Sequence, residues 1–128
     1  MRFLLDTHTL LWSFNADPSL SARARRIIED VDNELFVSAA SVWEIAIKVR
    51  LGKLPTGNVL LNELDTYLRL VGFDGLPITL SHSVRAGRLP GEHRDPFDRM
   101  LISQAQIENM PIVSNDRIFD EYHVERMW

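Results

Sequence analysis

Four carboxylates stand where the chain passes from one regular element to the next. Asp6 follows the apolar run Phe3–Leu5. Glu44 lies one turn into a helical stretch. Asp98 follows Asp95-Pro96-Phe97, and Asp116 follows Ile112-Val113-Ser114-Asn115. Gathered in one pocket, such acids repel one another, and some would take up protons near neutral pH. A divalent cation removes the conflict, and hard oxygen ligands select Mg²⁺ or Mn²⁺ over a soft metal. Such an ion polarises a phosphoryl oxygen, stabilises a leaving alkoxide and activates water. Two ions about 3.5–4 Å apart clamp both the entering and the leaving oxygen. One ion or two would both suit this sequence. The chain has no cysteine, so disulfides and thiolate ligands are excluded. His8, His82, His93 and His123 lack the close spacing of a histidine metal motif, although His93 is near enough in sequence to serve beside the acids.

Each acid also has a structural reading. Asp6 can cap a helix that starts at Thr7. Ser41-Val42-Trp43-Glu44 matches a capping box, in which Glu44 only satisfies the Ser41 amide. Asp95-Pro96-Phe97-Asp98 can be a cap followed by a charge that suits the helix dipole, and Asn115-Asp116 is ordinary turn chemistry. The choice rests on whether the elements bring the four together.

Those elements alternate. Phe3–Asp6 reads as a buried strand, Thr7–Phe14 as a short helix, Ser21–Glu29 as a capped helix and Glu34–Ser38 as a second strand. Ser41–Leu51 has apolar residues at helical spacing, with Gly52 and Pro55 to close it. A single helix is expected over Val59–Val71, with Gly72 as its stop. A short strand follows at Leu76-Pro77-Ile78, then a helix over Thr79–Arg85. Pro96 opens a long helix to Glu108, as suits proline at a first helical position. Pro111–Ser114 is a strand and Val124–Trp128 a last edge strand. Strands separated by helices imply a mainly parallel sheet covered on both faces, with ligands at the carboxyl ends of the strands. All four acids would then project from one sheet edge.

The 128 residues suit one domain, 1–128. Hydrophobic and charged fractions of 45% and 25% argue against a disordered chain. No membrane span is expected, because no apolar run approaches the roughly 20 residues needed. Asp6 interrupts the opening too early for a secretory leader. A cytoplasmic location fits both points. The net charge of −4 runs against a nucleic-acid partner, but bound cations would offset it.

Leu4-Leu5-Asp6-Thr7-His8 resembles the opening of PIN domains, and Ser38–Ile45 resembles the segment bearing their second acid. His93-Arg94-Asp95-Pro96-Phe97-Asp98-Arg99-Met100-Leu101 resembles the third-acid segment of a VapC-like subgroup. Ile112-Val113-Ser114-Asn115-Asp116 resembles the last strand with its acid, Ser114 taking the usual Thr/Ser position. With Leu51-Gly52-Lys53-Leu54, these pieces span residues 4 to 119. The resemblance implies a three-layer α/β/α PIN-like domain. It implies Mg²⁺- or Mn²⁺-dependent endoribonuclease activity on RNA phosphodiesters, with water as nucleophile and 5′-phosphate and 3′-hydroxyl ends. Carried over, the metal-binding acids are Asp6, Glu44, Asp98 and Asp116, with Ser114 assisting, while Asp95 caps its helix. A VapC-like toxin further implies a toxin–antitoxin pair, a cognate antitoxin protein and a homodimer.

Arg94, Arg99 and Lys48 are candidate contacts to RNA phosphates. For Arg99 the alternative is a pairing with a nearby acid, and for Lys48, with Arg50 and Lys53, a solvated helix face. Arg23, Arg25 and Arg26 form a similar cluster. Trp12, Trp43 and Trp128 are expected in the core or a dimer interface rather than under bases. Two rivals stand against the nuclease reading. A receiver-type signalling domain shares the length and the acids, but Asp6 has no paired acid and no lysine follows Ser114. A non-catalytic RNA- or protein-binding module would keep the fold without the chemistry.

Overall fold

The computed structural model describes residues 1–128. Its sheet has five parallel strands in the order β3-β2-β1-β4-β5: β1 Arg2–Leu5, β2 Glu34–Ser38, β3 Phe73–Leu76, β4 Ile112–Val113 and β5 Arg126–Met127. Seven helices cover it: α1 Thr7–Phe14, α2 Ala22–Glu29, α3 Ala39–Arg50, α4 Gly57–Asn62, α5 Leu64–Val71, α6 Leu80–Arg88 and α7 Pro96–Glu108.

The alternation of side chains along each strand divides the core into two layers. Phe3, Leu5, Leu35, Val37, Phe73 and Val113 face one layer, with Leu10, Ala24, Ile45 and Leu60 from the helices above. Leu4 and Ile112 face the other, against Leu101, Ile102 and Ala105 of α7 and Phe119. Buried on both faces, the central strands carry almost no polar residue, as parallel strands require. This is the expected three-layer α/β/α arrangement.

The strand order reverses at β1. Its chain neighbour β2 lies on one side and β4 on the other, so the carboxyl ends of β1 and β4 flank the crevice where open α/β sheets bind ligands. Asp6 directly follows β1, and Ser114 to Asp116 directly follow β4.

Several elements differ from the sequence expectation. The third strand is Phe73–Leu76, not Leu76–Ile78. Gly72, at φ 76°, ends α5 in the left-handed conformation, and Phe73 goes straight into the core opposite Leu35. Pro77, which lacks an amide hydrogen, closes the strand. The expected helix over 59–71 is two helices with Glu63 between them at φ −115°. The break lets α4 pack on α1 and α3 while α5 packs beside β3. Helix α3 begins two residues early, at Ala39, because Ser38 Oγ accepts from the Ala40 amide 3.0 Å away. A 3₁₀ turn at Arg117–Tyr122, not foreseen, follows Asp116.

Candidate active site

Asp6 is the N-cap of α1. Its Oδ1 accepts from the Thr9 amide at 2.7 Å, and its Oδ2 accepts from Ser114 Oγ. The capping reading is therefore correct, yet it uses only one of the two carboxylate oxygens. The residue is buried, and that burial pushes its pKa above the ordinary carboxylate range. The bonds from Ser114 and Thr9 pull the other way. Ser114 Oγ also accepts from the Asp116 amide at 3.0 Å, so one hydroxyl joins the ends of β1 and β4. Asp116 itself is exposed and accepts from the Ile118 amide, starting the 3₁₀ turn.

Glu44 reaches the same place from α3. Thr7, next to Asp6, donates its hydroxyl proton to Glu44 Oε1 at 2.8 Å and pairs with Ser41 Oγ at 2.9 Å. Lys48 Nζ, one turn along α3, lies 2.6 Å from Glu44 Oε2. The Ser41 capping box does not form, since Ser41 is inside the helix and buried. Glu44 is thus a buried, half-neutralised carboxylate rather than a cap.

Asp95 caps α7 by accepting from the amides of Phe97 (2.9 Å) and Asp98 (3.1 Å). This frees the Asp98 side chain, whose Oδ2 lies 2.8 Å from His93 Nε2. Burial raises the Asp98 pKa to about 6. The negative charges of Asp95 and Asp116 add to the rise and His93 opposes it. Asp116 is the least of these influences, and the only side chain bonded to the Asp98 carboxylate is His93.

The cationic candidates separate. Arg94 is exposed. Lys48 is held by Glu44. Arg99 pairs with no acid: it donates to the carbonyls of His93 (2.8 Å) and Leu89, which fixes the loop carrying His93. That use takes up the guanidinium. The tryptophans separate too. Trp12 and Trp128 meet at 5.8 Å between centroids, their planes tilted at 53°, against the core. Trp43 is 61% exposed, so of the two settings expected for it, core or dimer interface, it does not take the core. Thr7 is the contributor whose role the sequence motifs did not disclose, while His93 takes the place beside the acids that its position allowed. The only signal for Thr7 was its adjacency to Asp6.

No three acids or imidazoles converge closely enough, as placed, to ligate one ion; Glu44 is bonded to Lys48 and Asp98 to His93. The donor set nevertheless fits a hard divalent cation. Every carboxylate offers oxygen alone, and at Asp6 and Asp98 burial disfavours negative charge that a cation would stabilise.

The chain matches the PIN domain family over residues 3–125. It is 40% identical over 70 residues to Ribonuclease VapC16 of Mycobacterium tuberculosis, a stretch covering 52% of this chain and 50% of that protein. Among solved structures, the fold is similar to a chain of the Rickettsia felis VapBC2 complex bound to a promoter DNA fragment. There the TM-score is 0.72 and the identity 18%, with all of both chains covered. It is also similar to the FitAcB structure from Neisseria gonorrhoeae, with TM-score 0.66, 22% identity and 97% and 95% of the two chains covered. A third likeness is to DNA-bound VapBC from Salmonella typhimurium, with TM-score 0.67, 15% identity and 98% and 96% covered. No helix is long and apolar enough to cross a membrane.

Proposed function

The chain belongs to the PIN-domain family, and from that premise we propose that it is a metal-dependent endoribonuclease, the toxin member of a toxin–antitoxin pair. The observation that carries the proposal is the hydrogen-bonded path from Asp116 through Ser114 to Asp6, and on from Thr7 to Glu44, at the reversal point of the sheet. Asp6, Glu44 and Asp116 come from three separate segments and are joined there through Ser114 and Thr7, while Asp98, from a fourth, bonds to His93. Asp6, Glu44, Asp98 and Asp116 would hold Mg²⁺ or Mn²⁺. Bound there, the ion would polarise a phosphoryl oxygen and favour attack by water.

The chain's own groups prepare that chemistry. Ser114 fixes the Asp6 carboxylate and the Asp116 backbone with one hydroxyl. Thr7 orients Glu44, and Lys48 balances its charge. His93, against Asp98 Oδ2, favours the ionised form of that carboxylate. No serine or cysteine nucleophile is involved, so water is the attacking group, and the products carry 5′-phosphate and 3′-hydroxyl ends. Arg94 is the free cation best placed in sequence to meet a substrate phosphate. The toxin role brings with it a homodimer, a cytoplasmic location and a cognate antitoxin protein, the last in accord with the VapBC complexes of similar fold.

The test is incubation of a mixed RNA pool with purified protein, wild type beside Asp6→Asn, in Mg²⁺, Mn²⁺ or EDTA. Cutting that needs the metal, fails in the variant and leaves 5′-phosphates is expected. Ends bearing 2′,3′-cyclic phosphate, or equal cutting in EDTA, would overturn the proposal.

A further inference from the structure

Lys48 sits in the last turn of α3, and its side chain has one partner. Its Nζ lies 2.6 Å from Oε2 of Glu44, one turn earlier. The two members of this pair are unequally covered: the Glu44 side chain is 8% exposed and the Lys48 side chain 40%. The other Glu44 oxygen is engaged from within the fold, because Oε1 accepts from Thr7. Oε2 is therefore the oxygen free to change partners, and Lys48 is the partner it would give up.

From this pair we infer that Lys48 is a substrate-binding residue held in reserve. It leaves Glu44 when that carboxylate takes up a divalent cation, and then pairs with a phosphate of the RNA. The inference rests on the metal-dependent ribonuclease reading and adds to it a coupling between cation and substrate: RNA meets this positive charge only at a loaded site.

Three observations favour this over a fixed salt bridge. The ammonium, 2.6 Å from Oε2, occupies the place of a ligand ion, and like charges crowded on one carboxylate oxygen repel strongly. It stands on a flexible stem, and its exposure leaves it free to swing without moving α3. Arg99, by contrast, has no such freedom, since its guanidinium is bonded to the carbonyls of His93 and Leu89. With the acids engaged, the anion left at the site for Lys48 is a phosphate of the substrate. The coupling is reciprocal, so phosphate should tighten cation binding by the same factor.

Lys48 and Lys53 are the only lysines in the chain, so the exchange can be followed at one side chain, with Lys53→Arg assigning the pair. In the first arm, the lysine Cε resonances of the wild-type protein are recorded by NMR as Mg²⁺ is added without RNA. The Lys48 signal should move and saturate with the cation while the Lys53 signal stays. In Glu44→Gln the Lys48 signal should stand at its released position before any Mg²⁺ is added. Uridine 3′,5′-bisphosphate, which carries phosphates but no internucleotide bond to cut, is then added with Mg²⁺ or with EDTA. A second displacement of the Lys48 signal is expected in Mg²⁺ and none in EDTA. In the second arm, cleavage is measured in saturating Mg²⁺. Lys48→Met should raise KM for RNA about 2- to 5-fold, as for loss of a half-exposed ion pair, with less effect on kcat, and Lys48→Arg should restore most of it.

A Lys48 signal that stays fixed while Mg²⁺ shifts the amides around Asp6 and Asp116 would overturn the inference and leave the ribonuclease reading intact. So would a Lys48 signal freed by Mg²⁺ but unmoved by the bisphosphate, with KM unchanged in Lys48→Met, which would make the lysine a counter-ion alone. No Mg²⁺ shift at those amides, or no metal-dependent cutting by wild type, would instead remove the reading beneath it.

Discussion

Replacing Ser114 by alanine removes one oxygen, and the consequences can be worked out atom by atom. That oxygen is fully buried, donates to Asp6 Oδ2 and accepts from the Asp116 amide. The bond to a buried carboxylate is worth about 1.5–3 kcal/mol. The exposed Asp116 amide can turn to water, so its loss adds about 0.5 kcal/mol or less. The variant should therefore lose about 2 kcal/mol, which lowers the urea midpoint by about 1 M. The loss should depend on pH. Asp6 already has a raised pKa through burial, and Ser114 is the largest influence opposing the rise. In the variant the pKa climbs further, so a penalty for holding the carboxylate ionised grows as pH rises from the wild-type value to the variant's higher one, and fades below both, where Asp6 is protonated in each protein. Urea titrations in EDTA across the acidic to neutral range would measure this. A loss of the same size at every pH, or none, would show that Ser114 does not stabilise an ionised Asp6. Added Mn²⁺ should narrow the gap, because the cation replaces the missing compensation.

Three further outcomes follow from the same geometry. Asp98, at about 6, must shed a proton to ligate a cation, so Mn²⁺ affinity measured by calorimetry should fall about tenfold per pH unit below 6. Asp98→Asn should weaken binding and flatten that dependence. Lys48→Met removes the ammonium that competes for Glu44. Mn²⁺ should then bind a few-fold more tightly in the same titration, whereas a metal site without Glu44 would show no change. Gly91 has φ 95°, and a Cβ there would press directly on Tyr122 Oη. Gly91→Ala should cost about 2–3 kcal/mol in thermal unfolding through strain and displacement. It should also broaden the NMR signals of His93 two residues on.

Much of the fold was legible because its signals are local. The apolar runs at Phe3–Leu5 and Glu34–Ser38, and Pro96 at the start of α7, each marked an element from its own residues. The register errors came where packing decided. Nothing within Val59–Val71 forbids one continuous helix, and only the need to pack on both α3 and β3 breaks it. The start of α3 moved because Ser38 and Ser41 are both good caps. The acids themselves could be picked out by position. Their partners could not, since Thr7 finds Glu44 across 37 residues and Ser114 finds Asp6 across 108. Such pairs exist only once the sheet has assembled. Arg99 shows the reverse case: its place beside Asp98 suggested phosphate binding, while the fold uses it to tie down the Leu89–His93 loop.

The central claim is that carboxylates from four segments share a hard divalent cation at the carboxyl ends of β1 and β4. Crystals soaked in Mn²⁺ and measured at its absorption edge test it directly. The account predicts anomalous density between Asp6, Asp98 and Asp116, with Glu44 swung from Lys48 toward it, and none in crystals of Asp6→Asn. Manganese bound elsewhere, or no site at these acids with the crystals otherwise intact, would contradict it.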